Sequence, residues 1–511
     1  MVTIDSSAAR DLSLRRSLQR WTLVLFAGIA AINLLAVASG VTPYIRAHLA
    51  AAALAGYLAF EAMRFLRRTD VMGLLTPAFL ALFGHFTLAY LCLITLSAFD
   101  TTAISYYHTW LHDPDGALAD TILLAALAAF SMMRAYELTQ PLARRLRRAA
   151  QGWRALRREL RPAMSLAVIL QFAFVGLVGL AMNLGVYGVG SDAEAKLHHI
   201  DVIQYLRILV AAGTLSYFLI LMRYFEGRAA GKSSFWFGAF CTLLVAFHVL
   251  AGALAAFKSQ IVMPFIVAGL AYFLVTRRIP RTFFLMAVAA LVLSYSVVQP
   301  LRSYLGYLGE NRPRGLIEAV ETVATAVRLR EQFEGNTDTS LGEQIALRFD
   351  VSGMSAVGID FVQRGYLQPD VRQDLQDSIL LAPVLAFVPR LIWRNKGSYS
   401  TGVWFNVTVL RKSDEATTSV GMGPIAYLYM AGGVLMVCFG FALWGAMGSL
   451  LFDGLARSGA GGVIVFLSVA SSLVSINTSF GPILTGNLRM IVVAFAAQLI
   501  LLRPSRRAAR S

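Results

Sequence analysis

The sequence predicts an all-α protein: a polytopic membrane helical bundle of about twelve transmembrane helices that carries one large, mainly helical external loop. Composition is the first observation behind this. Of 511 residues, 57% are hydrophobic and only 14% charged, against roughly 25% charged in an ordinary soluble domain. The second is that long apolar runs recur through most of the chain, matching the ~20 residues that carry a helix across ~30 Å of hydrocarbon. The third is the distribution of arginine between those runs.

Spans are read near 21–42, 48–63, 71–99, 119–136, 164–188, 204–222, 234–257, 260–276 and 282–299, and then near 421–451, 459–476 and 484–502. The first follows Arg10, Arg15, Arg16 and Arg20 and is long enough to span, so it is read as a retained helix rather than a cleaved signal. Alternate gaps differ in charge. One set, with the amino-terminal arginines, Arg134 and the tail, holds 27 basic residues, among them Arg64, Arg67, Arg68 and the run from Arg144 to Arg161. The opposite set holds five: Arg46, Lys196, Arg207, Lys258 and Arg489. Because cytoplasmic loops collect Lys and Arg, the rich set and both chain ends are assigned to the cytoplasm. Residues 301–420, with 13 basic and 14 acidic residues, then fall outside. The formal charge of +16 is therefore topological and implies no nucleic-acid partner.

This organisation gives three parts: 1–300 with nine spans, 301–420 as the external loop, and 421–511 with the last three spans and a basic tail. Between Arg144 and Arg161, apolar residues recur at helical spacing among the arginines, which predicts an amphipathic helix lying along the inner membrane surface. Cys92, Cys241 and Cys438 fall singly within apolar runs and read as packing residues. His85 and His248, also single within spans, read as hydrogen-bonded to neighbouring helices. His198 and His199, near Asp192, Glu194 and Asp201, lack zinc-ligand spacing and read as polar loop residues.

An insertion of 120 residues is far longer than a connection between helices needs, so function is sought there. Leu316, Val320, Val323 and Val327 form one apolar helical stripe, and Leu341, Ile345 and Phe349 begin a second that would carry Arg348 and Asp350 on its helix. Ser378–Trp393, interrupted by Pro383 and Pro389, reads as a re-entrant or interfacial helix. No Asp or Glu occurs between Asp377 and Asp414, whereas Arg390, Arg394, Lys396, Arg411 and Lys412 do. With Trp393, Tyr399 and Trp404 this segment suits a lipid headgroup boundary. Planar guanidinium groups donate paired hydrogen bonds to phosphate oxygens, so Arg348, Arg390 and Arg394, with Arg302, Lys258 and Lys396, are the candidate anion contacts. Asp350 is the candidate proton acceptor. Each of these also has a plainer reading as a solvated or snorkelling side chain.

Three patches resemble the bacterial O-antigen and exopolysaccharide repeat-unit polymerases (Wzy type). They are Phe257-Lys258-Ser259-Gln260 leading into a span that ends Arg277-Arg278; Leu347-Arg348-Phe349-Asp350 followed by Val388-Pro389-Arg390-Leu391-Ile392-Trp393 and Lys396; and Thr417-Thr418 leading to Pro424-Ile425-Ala426-Tyr427-Leu428-Tyr429 and Gly432-Gly433. Ala426 departs from the pattern, since the family commonly has an acid near that place. The resemblance covers mostly residues 255–450. It implies a GT-C-like fold and a metal-independent membrane glycosyltransferase without cofactors, set in the bacterial inner membrane. Its substrate would be an undecaprenyl-pyrophosphate-linked oligosaccharide, joined to another lipid-linked unit on the periplasmic side. Arginines would stabilise the departing diphosphate, and a chain-length regulator and a flippase would be partners. Rival readings are a lipid-linked glycan flippase or other transporter, an O-antigen ligase, and a noncatalytic scaffold.

Overall fold

The computed structural model describes residues 4–153, 158–162, 164–189, 200–232, 234–255, 258–276, 278, 280–308, 313, 316–329, 350–388, 401–411, 420–473 and 479–504. In chain order the helices are α1 (Ile4–Ala38), α2 (Ile45–Arg68), α3 (Pro77–Ala81), α4 (Cys92–Leu96), α5 (Thr102–Ser105), α6 (Pro114–Gly152), α7 (Met164–Asn183), α8 (Ile200–Ala229), α9 (Phe235–Leu254) and α10 (Lys258–Thr276). They continue with α11 (Arg281–Leu308), α12 (Leu316–Arg328), α13 (Ser352–Gln363), α14 (Pro369–Leu380), α15 (Ala382–Phe387), α16 (Thr401–Trp404), α17 (Gly423–Ser449), α18 (Ala460–Leu473) and α19 (Phe480–Leu501). Two short strands, β1 (Arg158–Pro162) and β2 (Leu502–Pro504), pair antiparallel. Among the described residues, eight helices are long and apolar enough to cross a membrane.

Contacts divide the chain into two compact units, Met1–Leu156 with Thr339–Val492, and Arg157–Asp338 with Val493–Ser511. The first holds a large apolar core built from α1, α2, α6, α13 and α17, with Leu54, Leu58, Phe86, Met133, Phe405 and Phe441 fully buried. The second packs α7, α8, α9, α10, α11 and α12.

Two spans of the first unit are interrupted. Where one run was expected at 71–99, the chain makes a 3₁₀ turn (Val71–Leu75), α3, a π-helical stretch (Leu82–Leu88) and α4. Local capping explains the first break: Asp70 accepts from Gly73 N–H, Thr76 accepts from Phe79 N–H, and Pro77 opens α3. The second interruption lies in α17, where Gly432 (φ −169°, ψ 31°) and Gly433 (φ 64°, ψ −154°) leave the helix. The backbone of Gly433 is open essentially to glycine alone. At 1.5 Å per residue this break sits roughly 13 Å along α17.

Polar contacts between distant segments test the alternation of sides. Arg46 meets Asp113 at 2.6 Å and Asp115 at 3.1 Å. Trp110 Nε1 donates to Leu410 O at 3.2 Å, Gln363 Nε2 to Asp120 at 3.1 Å, and Thr401 Oγ1 lies 2.9 Å from Ser479 Oγ. A second set joins Arg64 to Glu137 at 2.7 Å and Arg457 to Asp70 at 2.6 Å; within the second unit, β1 pairs with β2. Each of these pairs joins segments that the arginine count assigns to one side, Asp120 lying just inside the start of the predicted span 119–136.

Asp113 caps α6 by accepting from Gly116 N–H, with Pro114 at the first helical position. That backbone bond and the Arg46 guanidinium hold the Asp113 carboxyl below the usual carboxylate range. At 39 residues α6 is about 58 Å long, nearly twice the hydrocarbon thickness. This corrects the amphipathic surface helix expected from Arg144: the arginines, good helix formers, simply prolong α6 to Gly152, and residues 158–162 are extended.

Helix α12 exists where the first loop stripe predicted it, but it is rotated. Ala319 and Ala326 are its buried residues, with Val323 packed beside them, whereas Val320 and Val327 are exposed. Small residues let the helix approach Leu301 and Leu305 of α11, which the larger valines would prevent. His248 Nε2 lies 3.1 Å from Gln171 Oε1, the interhelical bond expected of it. His85 differs: neither ring nitrogen has a hydrogen-bond partner among the described residues.

The end of α2 carries the most buried acid described. Glu61 is 1% exposed and meets Arg64 at 2.6 Å and Arg134 of α6, while Tyr57 donates to it at 3.2 Å. Removing one partner of such a network leaves charges desolvated and uncompensated. Glu61→Ala should therefore lower stability by about 3 kcal/mol. Denaturation of the detergent-solubilised protein measures this; Glu137→Ala, at a more exposed carboxylate, should cost less.

Candidate functional site

Residues 350–388 of the insertion are bonded to the first unit at both interruptions. Ala89, where the third span breaks, accepts from Val351 N–H at 3.0 Å. Ala431, just before the break in α17, accepts from Gln376 Nε2 of α14 at 2.6 Å. Two further bonds fix the same segment: Ser378 Oγ with Tyr427 Oη of α17, and Arg489 of α19 with the carbonyls of Ala386 (2.9 Å) and Leu385 (2.7 Å) at the end of α15. Pro369 and Pro383 each sit in the first turn of their helix, α14 and α15, where the missing N–H costs nothing. Leu380, Leu381, Val384 and Phe387 are exposed from the end of α14 along α15, whereas the exposed residues earlier on α14 include Asp370, Arg372, Gln373 and Asp374. Of the segment read as a re-entrant or interfacial helix, the part up to Val388 is described, as the end of α14 and α15.

Asp350 sits immediately before α13 and is buried. It was expected on the surface of a helix beside Arg348; instead its carboxylate caps the next helix. Oδ1 accepts from the Ser352 N–H at 3.0 Å and from Ser352 Oγ; Oδ2 accepts from the Gly353 N–H at 3.0 Å and from Tyr107 Oη at 2.9 Å. Gly353 permits this approach, because a Cβ there would lie 2.3 Å from the Tyr107 ring. All the strong acceptor directions of the carboxylate are thus used by protein donors. A substrate hydroxyl reaches it only by displacing Ser352 Oγ or Tyr107 Oη.

Burial pushes the Asp350 carboxyl up to about 6, with the bonds from Ser352, Gly353 and Tyr107 acting in the opposite direction. A proton held near neutrality makes the group a candidate for acid–base work and also a structural pH sensor.

Of the other candidates, Arg348, Arg390, Arg394 and Lys396 lie outside the described residues, as do Trp393, Tyr399, Lys412, His198, His199 and the second apolar stripe. Lys258 opens α10 and its side chain also lies outside them. Arg302 is on α11, exposed, in the second unit. Sequence reasoning missed Tyr107, Ser352, Gln376 and Arg489. Asp-x-Ser-Gly before an apolar helical run was a readable capping signal for Ser352. Nothing in local sequence marks Tyr107, which lies 243 residues from its partner. Among the described residues no group of three or more His, Cys, Asp or Glu could hold a metal ion.

No protein-family model matches the chain, and no curated protein or solved structure matches it. The fold itself defines the class, an α-helical membrane protein in which residues 350–388 are bonded to two interrupted helical segments.

The Asp350 carboxyl should titrate with a midpoint near pH 6. Its folded value lies above its ordinary 3.8, so the native state holds more protons than the unfolded one between about pH 4 and 6. Stability from this group is present below that window and falls as pH rises through it. Infrared difference spectra of the carboxyl stretch, wild type against Asp350→Asn, should show the step in wild type only.

Proposed function

We propose that the protein is a repeat-unit polymerase of the O-antigen or exopolysaccharide type, working at the outer face of the bacterial inner membrane with both termini in the cytoplasm. It would join undecaprenyl-pyrophosphate-linked oligosaccharides as a metal-independent glycosyltransferase with a GT-C-like bundle. Twelve spans would be reached by adding α8, α10, α18 and the interrupted segment 71–99 to the eight long helices. The observation that carries the reading is the docking of the insertion into two broken helices, with the buried Asp350 on one anchor and Gln376 of α14 on the other. Arg348 precedes Asp350 by two residues, and the acid-free cationic stretch from Arg390 to Lys412 begins two residues after Val388.

The chemistry suits such a placement. When the glycan leaves its carrier, negative charge grows on the pyrophosphate, and fixed cations in a site sheltered from water stabilise that charge most. Arg348, Arg390 and Arg394 would supply bidentate donors, with Lys396, Arg302 and Lys258 as further cations. Asp350, once Tyr107 or Ser352 yields, would take the proton of the acceptor hydroxyl.

One observation favours a second reading. A glycine-broken membrane helix, as in α17, is a common feature of transporter sites, so a lipid-linked glycan flippase is the rival. Proteoliposomes loaded with the lipid-linked oligosaccharide separate the two. Arg348→Ala or Arg390→Ala should abolish long chains with protein level unchanged. Normal chain length in both variants, or flipping without any chain growth in wild type, sinks the polymerase.

A further inference from the structure

Three histidines lie in the interior of the described bundle, and two of them are held by protein side chains. His48 Nδ1 lies 2.7 Å from Asn33 Oδ1 and its Nε2 lies 3.1 Å from Thr42 Oγ1. His248 meets Gln171. His85 stands apart: it is 1% exposed, and both its ring nitrogens lack a partner among the described residues. A neutral imidazole carries one donor and one acceptor, so neither would be satisfied.

The surroundings do not explain such a residue as packing. Phe86, Tyr90, Phe441 and Trp444 ring it, with centroids 4.9–5.9 Å from the imidazole. An apolar side chain would fill that box without leaving polar atoms dry. Tyr90, fully buried and 5.5 Å from His85, sets its Oη beside Ser355 and the Ile425 backbone, neither at full hydrogen-bond geometry, which leaves the phenol able to take a further bond. His85 lies in the π-helical stretch Leu82–Leu88, a wider turn than the α-helix and one found often at functional sites.

We infer that His85 and Tyr90 bind an internal water within the first unit, in the interrupted third span. Buried waters sit where two to four polar groups can bond them; the two ring nitrogens diverge, so one water meets one of them together with the phenol. The water links His85 to a polar line that continues outward. Tyr90 Oη and Ser355 Oγ both flank Gly423, at 3.4 and 3.0 Å from the point its Cβ would occupy. Ser355 is on α13, the helix that Asp350 caps, and it donates to Met422 O at 2.8 Å. The inference does not rest on the glycan reading and has a readout of its own.

The test is magic-angle-spinning NMR of the full chain in lipid bilayers with the imidazole nitrogens of its seven histidines labelled with 15N. Subtracting the spectrum of His85→Phe, or of His85→Gln should the first variant misfold, isolates the His85 signals. The expected result is a hydrogen-bonded nitrogen shift with a cross-peak to water, and a displacement of that shift in Tyr90→Phe. A signal at the free-imidazole position without a water cross-peak, or one that Tyr90→Phe leaves unmoved, overturns the inference.

Discussion

Hydrocarbon offers no hydrogen bonds, so a helix that breaks inside a membrane must find protein partners for the backbone groups it releases. The first unit breaks two apolar helical runs, and in both cases the insertion supplies a donor: the Val351 N–H for Ala89, and the Gln376 amide for Ala431. The insertion is thereby part of the bundle rather than an appendage. Its position and the burial of Asp350 follow from those anchors.

Elsewhere in the interior the same requirement is met by side chains. Asn33 donates to Ile29 O and Thr95 Oγ1, which leaves its carbonyl oxygen for His48. His48 must then carry its proton on Nδ1, leaving Nε2 to accept from Thr42. In the second unit Gln171 donates to Gly213 O and Ser216 Oγ and so turns its oxygen to His248. Each network fixes one tautomer and one rotamer and joins helices that apolar contact alone would let slide.

Much of the helical framework was legible in the sequence, because a membrane solvent imposes length and apolarity on each span and sorts arginines by side. The pairings of Arg46 with Asp113 and of Asp70 with Arg457 follow the same sorting. What was not legible depends on contacts across long separations. The 71–99 run has the composition of one helix, and its break is stabilised by a residue more than 260 positions away. The α12 stripe gave the helix but not its buried face, since packing favoured alanines over valines of greater hydrophobicity. At the candidate site the cationic pattern was visible, while Tyr107 and the capping role of Asp350 emerge only when the chain is folded.

The ion network around Glu61 has a consequence for how the chain is made. Glu61 and Arg134 are separated by 73 residues, which at 5–20 residues per second means about 4–15 s of translation. During that interval the acid has emerged with only its near neighbours Tyr57 and Arg64 for company. The second helix must therefore wait near the headgroups or beside the insertion machinery until the sixth arrives. A ribosome that stalls between them would release an intermediate whose acid has no interhelical cation to bury against.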